Sequence, residues 1–171
     1  LKNPNTVVIF SQPKMGKTTV VSELENCLII DLERGTDFVD ALKYDVIKIA
    51  NEENKLPIVA LKELINAIRE SNKEKGGYTY KYLAVDTVTA LEDIVLPLAN
   101  KMYRETSMGR NWVGDDVTSL PNGAGYRYTR KALSTVLNEL EEICDTLVII
   151  GHVKDKLIEK DGKEIHQLLA G

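Results

Sequence analysis

The sequence predicts an α/β fold, a mostly parallel β-sheet flanked by helices and ending in a C-terminal β-hairpin. Three observations predict it. Short β-rich apolar runs alternate with amphipathic stretches along the chain. Those runs are apolar at consecutive positions, as strands covered on both faces require. The first run leads into "SQPKMGKT" (Ser11–Thr18), which fits the phosphate-loop pattern G-x-x-x-x-G-K-[ST] at every defining position except the first.

The elements follow in order. "TVVIF" (Thr6–Phe10) reads as a buried strand and is followed by the loop and a helix from Lys17 to about Glu25. "CLIID" (Cys27–Asp31) is a second strand, "GTDFVDALK" (Gly35–Lys43) a short helix and "DVIKIA" (Asp45–Ala50) a third strand. Pro57 suits the first turn of a helix. Ile58, Leu61, Leu64, Ile65 and Ile68 then recur at helical spacing, so an amphipathic helix is expected from Pro57 to about Lys73, broken by "KGGY". "YKYLAVD" (Tyr80–Asp86) is the next strand. Thr87 to about Arg104 is helical, with Pro97 kinking or interrupting it. Residues 105–123 are polar and glycine-bearing and read as a mobile loop. Ala124–Cys144 is a long helix and "TLVIIGH" (Thr146–His152) a strand. "KLIEKDGKEIHQLL" is a hairpin turning at Asp161-Gly162.

The 171 residues suit one domain, taken as 1–171, able to bury roughly 70% of its unfolded surface. Hydrophobic content of 43% and charged content of 28% fit a soluble globular chain. The net charge of −4 excludes a basic surface throughout, so any nucleic-acid contact must come from a local cluster. Cys27 and Cys144 each precede a strand-like run and read as small buried hydrophobes. With two cysteines and two histidines, neither a disulfide framework nor a zinc site is expected, and a reducing compartment fits. No run of about 18 apolar residues occurs and no leader is expected before the first strand, so no membrane is called for.

The candidate phosphate site comprises Ser11, Gln12, Pro13, Lys14, Met15, Gly16, Lys17, Thr18 and Thr19. Between a strand and a helix, the loop's backbone N–H groups can wrap a β-phosphate, and the helix N-terminus adds positive potential. Lys17 would reach the β- and γ-phosphates, and the Thr18 hydroxyl would ligate Mg²⁺. Gly16 leaves room where a Cβ would intrude. Ser11 stands where glycine eases the exit from the strand. Pro13 stiffens the loop, and Lys14 reads as solvent-facing more than as a second phosphate ligand.

Asp86 closes an apolar strand, where a carboxylate can hold a magnesium-bound water beside Thr18, the second half of a P-loop ATPase site. It equally suits a cap for the following helix, and both can hold together. Thr87 fits either Mg²⁺ or γ-phosphate positioning or a plain cap. Glu33, two residues after Asp31, stands across the cleft from Lys17, where a water-orienting base belongs. The pattern alone fits an exposed loop glutamate as well. His152 ends its strand as a γ-phosphate sensor or a satisfied structural histidine. Lys154, Lys156, Lys160 and Lys163 form a local basic cluster with acidic residues between them. Arg104, Arg110, Trp112, Arg127 and Arg130 surround the 105–123 loop, a combination suited to single-stranded nucleic acid and to a protein interface alike.

Over nearly its whole length the chain resembles the RecA-like core ATPases. "CLIIDLERGTDFVDAL" is similar to the RecA segment in which a cysteine-led strand runs into Asp-x-Glu, and the resemblance implies that Glu33 activates water. "YLAVDTVTAL" resembles the Walker B strand, which supports Asp86 and Thr87. "LVIIGHV" resembles the strand ending in the γ-phosphate sensor, where RecA itself carries glutamine. More narrowly, "PKMGKTT", "IIDLERGTDF", "AVDTVTALED", "NGAGYRYTRK" and "IIGHVKDK" together look like the phage-encoded, Sak-type single-strand annealing or recombination ATPases. The resemblance implies ATP and Mg²⁺, hydrolysis stimulated by single-stranded DNA, homo-oligomeric rings or filaments, and a phage protein in the host cytoplasm. It also implies a basic finger, Lys154 or Lys156, completing a neighbour's site, with basic loops (Arg104, Arg110, Trp112, Arg127, Lys160, Lys163) lining the DNA path. Two other classes fit the same loop, a nucleotide-switched binding module with weak ATPase and a P-loop nucleotide kinase.

Overall fold

Every residue of "CLIID" is buried, because the strand it forms is covered on both faces. The computed structural model describes residues 5–11, 17–33, 40–160 and 163–170, and for residues 11, 17, 18, 153–160 and 163–170 it describes the backbone alone. Strands β1 (Thr6–Ser11), β2 (Cys27–Asp31), β3 (Lys43–Asp45), β4 (Tyr82–Asp86) and β5 (Thr146–Lys160) form a parallel sheet in the order β1-β5-β4-β2-β3. Past His152, β5 pairs with antiparallel β6 (Lys163–Ala170). Parallel neighbours need crossover connections. Among the described residues the helices between strands are α1 (Lys17–Ser22), α2 (Val46–Glu52), α3 (Pro57–Lys75), α4 (Val88–Ile94), α5 (Leu96–Arg104) and α6 (Tyr126–Glu141).

The core divides by the two-residue period of the strands. Leu28, Ile30, Leu83, Val85, Leu147 and Ile149 pack with residues of α2 to α6. Cys27, Ile29, Ala84, Val148 and Ile150 pack on the other face with Val21 of α1. Burying a fully covered residue such as Ile29 contributes about 2 kcal/mol. The α3 helix buries Ile58, Leu61, Leu64, Ile65 and Ile68, the stripe expected from spacing. Pro57 starts it, and Gly76, at φ 69°, ends it in a left-handed cap whose N–H reaches Asn72 and Lys73 carbonyls.

Several boundaries differ from the sequence expectation. The third strand is Lys43–Asp45, and most of "DVIKIA" is helix α2. Asp45 decides this: its side chain accepts the Lys48 N–H at 2.7 Å, capping a helix that buries Val46 and Ala50 four residues apart. The β-branched residues therefore follow the cap and the tertiary contact over their own strand preference. Of the expected helix Gly35–Lys43, residues 35–39 lie outside the described residues, 40–42 are not helical and Lys43 begins β3. Helix α1 stops at Ser22 rather than near Glu25, and the chain turns at Asn26 with φ 57°. The strand after "KGGY" begins at Tyr82. The helical stretch Thr87–Arg104, expected to be kinked or interrupted at Pro97, is indeed two helices, but they meet at Val95 and the proline sits in the first turn of the second. The predicted turn residues 161 and 162 lie outside the described residues, between the paired Lys160 and Lys163.

The 105–123 segment is laid against the core instead of standing free. Asn100 on α5, 6% exposed, donates from Nδ2 to the Asp115 carbonyl and accepts the Val117 N–H at 2.9 Å. Val117 is fully buried. Trp112 meets Tyr103 edge-on at 5.2 Å, and Arg104 lies 5.2 Å over the Trp112 ring while donating to the Gly114 carbonyl at 2.7 Å.

Candidate functional site at the strand tips

Parallel register sets the geometry of the site. Asp31 of β2 is the direct neighbour of Asp86 of β4, and Asp86 is the neighbour of Ile150 of β5. Moving two residues onward from Asp31 and from Ile150 gives Glu33 and His152. These meet, with His152 Nε2 3.2 Å from Glu33 Oε2. The next residue after Asp86, Thr87, reaches the same carboxylate and donates from Oγ1 to Glu33 Oε1 at 2.5 Å. On the far side His152 is the register partner of Ser11, so the entry of the phosphate loop stands beside the histidine.

Local structure holds each group. Asp31 accepts the Glu33 N–H through Oδ1 at 3.0 Å, an Asx-type contact in the bend at the strand end. The Leu32 N–H donates to the Asp86 carbonyl at 2.9 Å, carrying the β2–β4 pairing one step past the strands. Thr87, fully buried, caps α4 by accepting the Ala90 N–H, and its peptide bond to Asp86 is cis. Asp31 and Asp86 are 1% and 7% exposed, whereas the Glu33 and His152 side chains keep 36% and 27% exposure. The two aspartates are thus held inside the sheet edge, and the glutamate and histidine are open to water. By strand alternation Asp31, Asp86 and His152 lie on the sheet face packed by α1, the helix that starts at Lys17.

The site therefore brings together Glu33, Asp86, Thr87 and His152 from the sequence prediction, with Thr87 as a helix cap that also bonds Glu33, and adds Asp31 as a support. Asp31 was legible as the first letter of Asp-x-Glu, because aspartate hydrogen-bonds its own backbone two residues on. Nothing in the sequence marks the Thr87–Glu33 bond, which spans 54 positions. Gln12, Pro13, Lys14, Met15 and Gly16 lie outside the described residues, while Ser11, Lys17 and Thr18 are placed by backbone at the end of β1 and the start of α1. Thr19 is exposed on α1. Lys154, Lys156, Lys160 and Lys163 are placed by backbone on the β5–β6 hairpin. Arg104, Arg110, Arg127 and Arg130 are all exposed, and Arg104 in addition lies over Trp112 and donates to the Gly114 carbonyl.

Among the described residues no three His, Cys, Asp or Glu side chains converge on one metal position. Mg²⁺ does not need them, since it is commonly held by one or two carboxylates with phosphate and water oxygens. A buried carboxylate, Asp86, on the face of the helix that begins with Lys17-Thr18 supplies a hard oxygen donor of the right kind. The cysteines take no part. Burial pushes the Cys27 thiol up to about 11 and the Cys144 thiol up to about 12. Between α4 and α6 a cavity of about 560 Å³ is lined by Glu92, Asp93, Asp116, Tyr126 and Arg130, among others, and by none of the strand-tip residues. Among the described residues no helix is long and apolar enough to cross a membrane.

Comparison with curated proteins returns no match. A family model described as an AAA domain matches residues 3–170, nearly the whole chain. That family implies a nucleotide-binding P-loop NTPase, in agreement with the five-stranded parallel sheet flanked by helices. The chain belongs to the AAA domain family of P-loop NTPases.

Proposed function

We propose that this protein is a RecA-like, Mg²⁺-dependent ATPase of phage type that acts on single-stranded DNA in recombination or strand annealing. The observation that carries the hydrolytic part is the Glu33 carboxylate, held between Thr87 and His152 at the strand tips beside Asp86. In this reading Lys17 and the amides of residues 11–19 hold the phosphates, and Thr18 and Asp86 hold Mg²⁺. The metal supplies neutralisation of charge on the phosphate oxygens. Glu33 orients the attacking water and takes its proton. Each of its oxygens accepts one protein hydrogen bond and has a second lone pair for water. His152 responds to the γ-phosphate. It is one residue short of the hairpin segment that carries Lys154 and Lys156, the proposed finger into a neighbouring subunit of a homo-oligomer.

Two observations bear on the alternatives. A kinase needs a pocket for a second, phosphorylatable substrate, and the cavity between α4 and α6 sets three carboxylates against one arginine. A nucleotide-switched binding module with weak ATPase gains support from Arg104 and Trp112, which are occupied with each other and with Gly114. The proposed DNA contacts then reduce to Arg110, Arg127, Lys160 and Lys163.

Fluorescence anisotropy on single-stranded DNA with ATP and Mg²⁺, across a salt series, tests the reading. Four phosphate contacts give a slope of log K against log salt of about −3. Phosphate release measured in parallel should rise with DNA. No binding, or binding flat in salt, removes the DNA role and leaves the switched module.

A further inference from the structure

We infer that Thr87 is the positioning residue for Glu33, acting through a hydroxyl whose direction the fold fixes. The inference rests on the reading of Glu33 as the group that acts on water. A hydroxyl has one hydrogen to donate and two lone pairs to accept with. The Ala90 N–H uses a lone pair of Thr87 Oγ1, because that oxygen caps α4. The single hydroxyl hydrogen goes to Glu33 Oε1 at 2.5 Å. Thr87 is fully buried, so bulk water cannot substitute for either partner.

The consequence is a glutamate held at three points, one on its backbone and two on its carboxylate. Asp31 holds the Glu33 backbone, Thr87 holds Oε1, and His152 Nε2 meets Oε2. Of the side-chain contacts, Thr87 is the buried one and His152 the partly open one. Thr87, the buried contact, therefore sets where the carboxylate sits, and His152 is the more exposed of its two side-chain partners. A displacement of the base by about 1 Å costs on the order of 100-fold in rate. Both hydrogen bonds of the Thr87 hydroxyl are thus made within the protein, and its proposed effect on the reaction passes through Glu33.

The test is a double-mutant cycle of Thr87→Val and Glu33→Gln, with Thr87→Ser as the conservative variant. Three readouts are used: ATP turnover with Mg²⁺, ATP affinity, and the Glu33 carboxyl ¹³C resonance in nucleotide-free protein, assigned by its loss in Glu33→Gln. Thr87→Val should lower kcat on the order of 100-fold with affinity unchanged and move the ¹³C resonance. Thr87→Ser should restore both. In the Glu33→Gln background Thr87→Val should add less than about twofold. If Thr87→Val does not fold, Thr87→Cys, of similar volume and with a weaker donor, replaces it in the same cycle. An unmoved resonance, or losses that multiply independently, overturns the role of Thr87 while Glu33→Gln alone still reports on the base. Wild-type turnover in Glu33→Gln overturns the base assignment and this inference with it.

Discussion

Glu33 Oε2 and His152 Nε2 lie 3.2 Å apart across 119 positions of sequence. Each is two residues beyond a register row formed by Asp31, Asp86 and Ile150, so the parallel pairing itself brings them to one level. With a carboxylate oxygen as acceptor, Nε2 carries the hydrogen. A donor in that place can turn from the carboxylate to a phosphate oxygen.

His152→Ala should therefore weaken ATP binding by about tenfold while leaving ADP affinity within about twofold, the size of one lost hydrogen bond to a charged group. His152→Gln, which keeps a side-chain N–H donor, should retain the preference for ATP. Calorimetric titration with the two nucleotides measures the ratio. An unchanged ratio in His152→Ala would remove the histidine from γ-phosphate recognition.

The 105–123 segment owes its place to two residues that sequence patterns do not flag. A Cβ built on Gly125 would lie 1.6 Å from the Val117 carbonyl oxygen, so the backbone would have to move. Gly125→Ala should cost about 3 kcal/mol, a fall in Tm of roughly 6 to 12 °C at this chain length. Asn100→Ala would strip the Val117 N–H of its partner and should cost about 2 kcal/mol. Denaturant titration checks both, and wild-type stability in either variant would mean that the segment does not pack as described.

Cys27 and Cys144 are buried, and their burial raises both thiols to about 11 and about 12. At pH 8 about one Cys27 thiol in a thousand is ionised, and fewer at Cys144. Iodoacetamide should leave the native protein unmodified at pH 8 and label both positions in denaturant, with native labelling rising only as pH climbs toward those values. Rapid labelling of native protein at pH 8 would contradict the packing of both strand starts.

The sequence revealed most where one cause acts alone. The runs at Cys27–Asp31 and Tyr82–Asp86 are apolar on both faces because the sheet is covered twice, and they read correctly as strands. The α3 stripe and the Pro97 break were legible for similarly local reasons. "DVIKIA" was misread because its β-branched residues obey a cap at Asp45 and a burial pair, Val46 and Ala50. Glu33 and His152 were visible as polar residues ending apolar strands, but their meeting depends on strand order, which no local pattern contains. Thr87 looked like a cap and is one. Its second bond, to Glu33, exists only because β2 and β4 are neighbours. The burial of the 105–123 segment escaped because Asn100, a polar residue, anchors it.

The most direct test of the central claim is single-turnover hydrolysis and equilibrium binding of Mg²⁺-ATP by Glu33→Gln. The substitution keeps the size of the side chain and an oxygen to accept from Thr87, but removes the carboxylate that takes a proton from water. The account predicts ATP affinity within about threefold of wild type and a hydrolysis rate lower by roughly 10²- to 10⁴-fold. Hydrolysis at the wild-type rate, with binding intact, would contradict it.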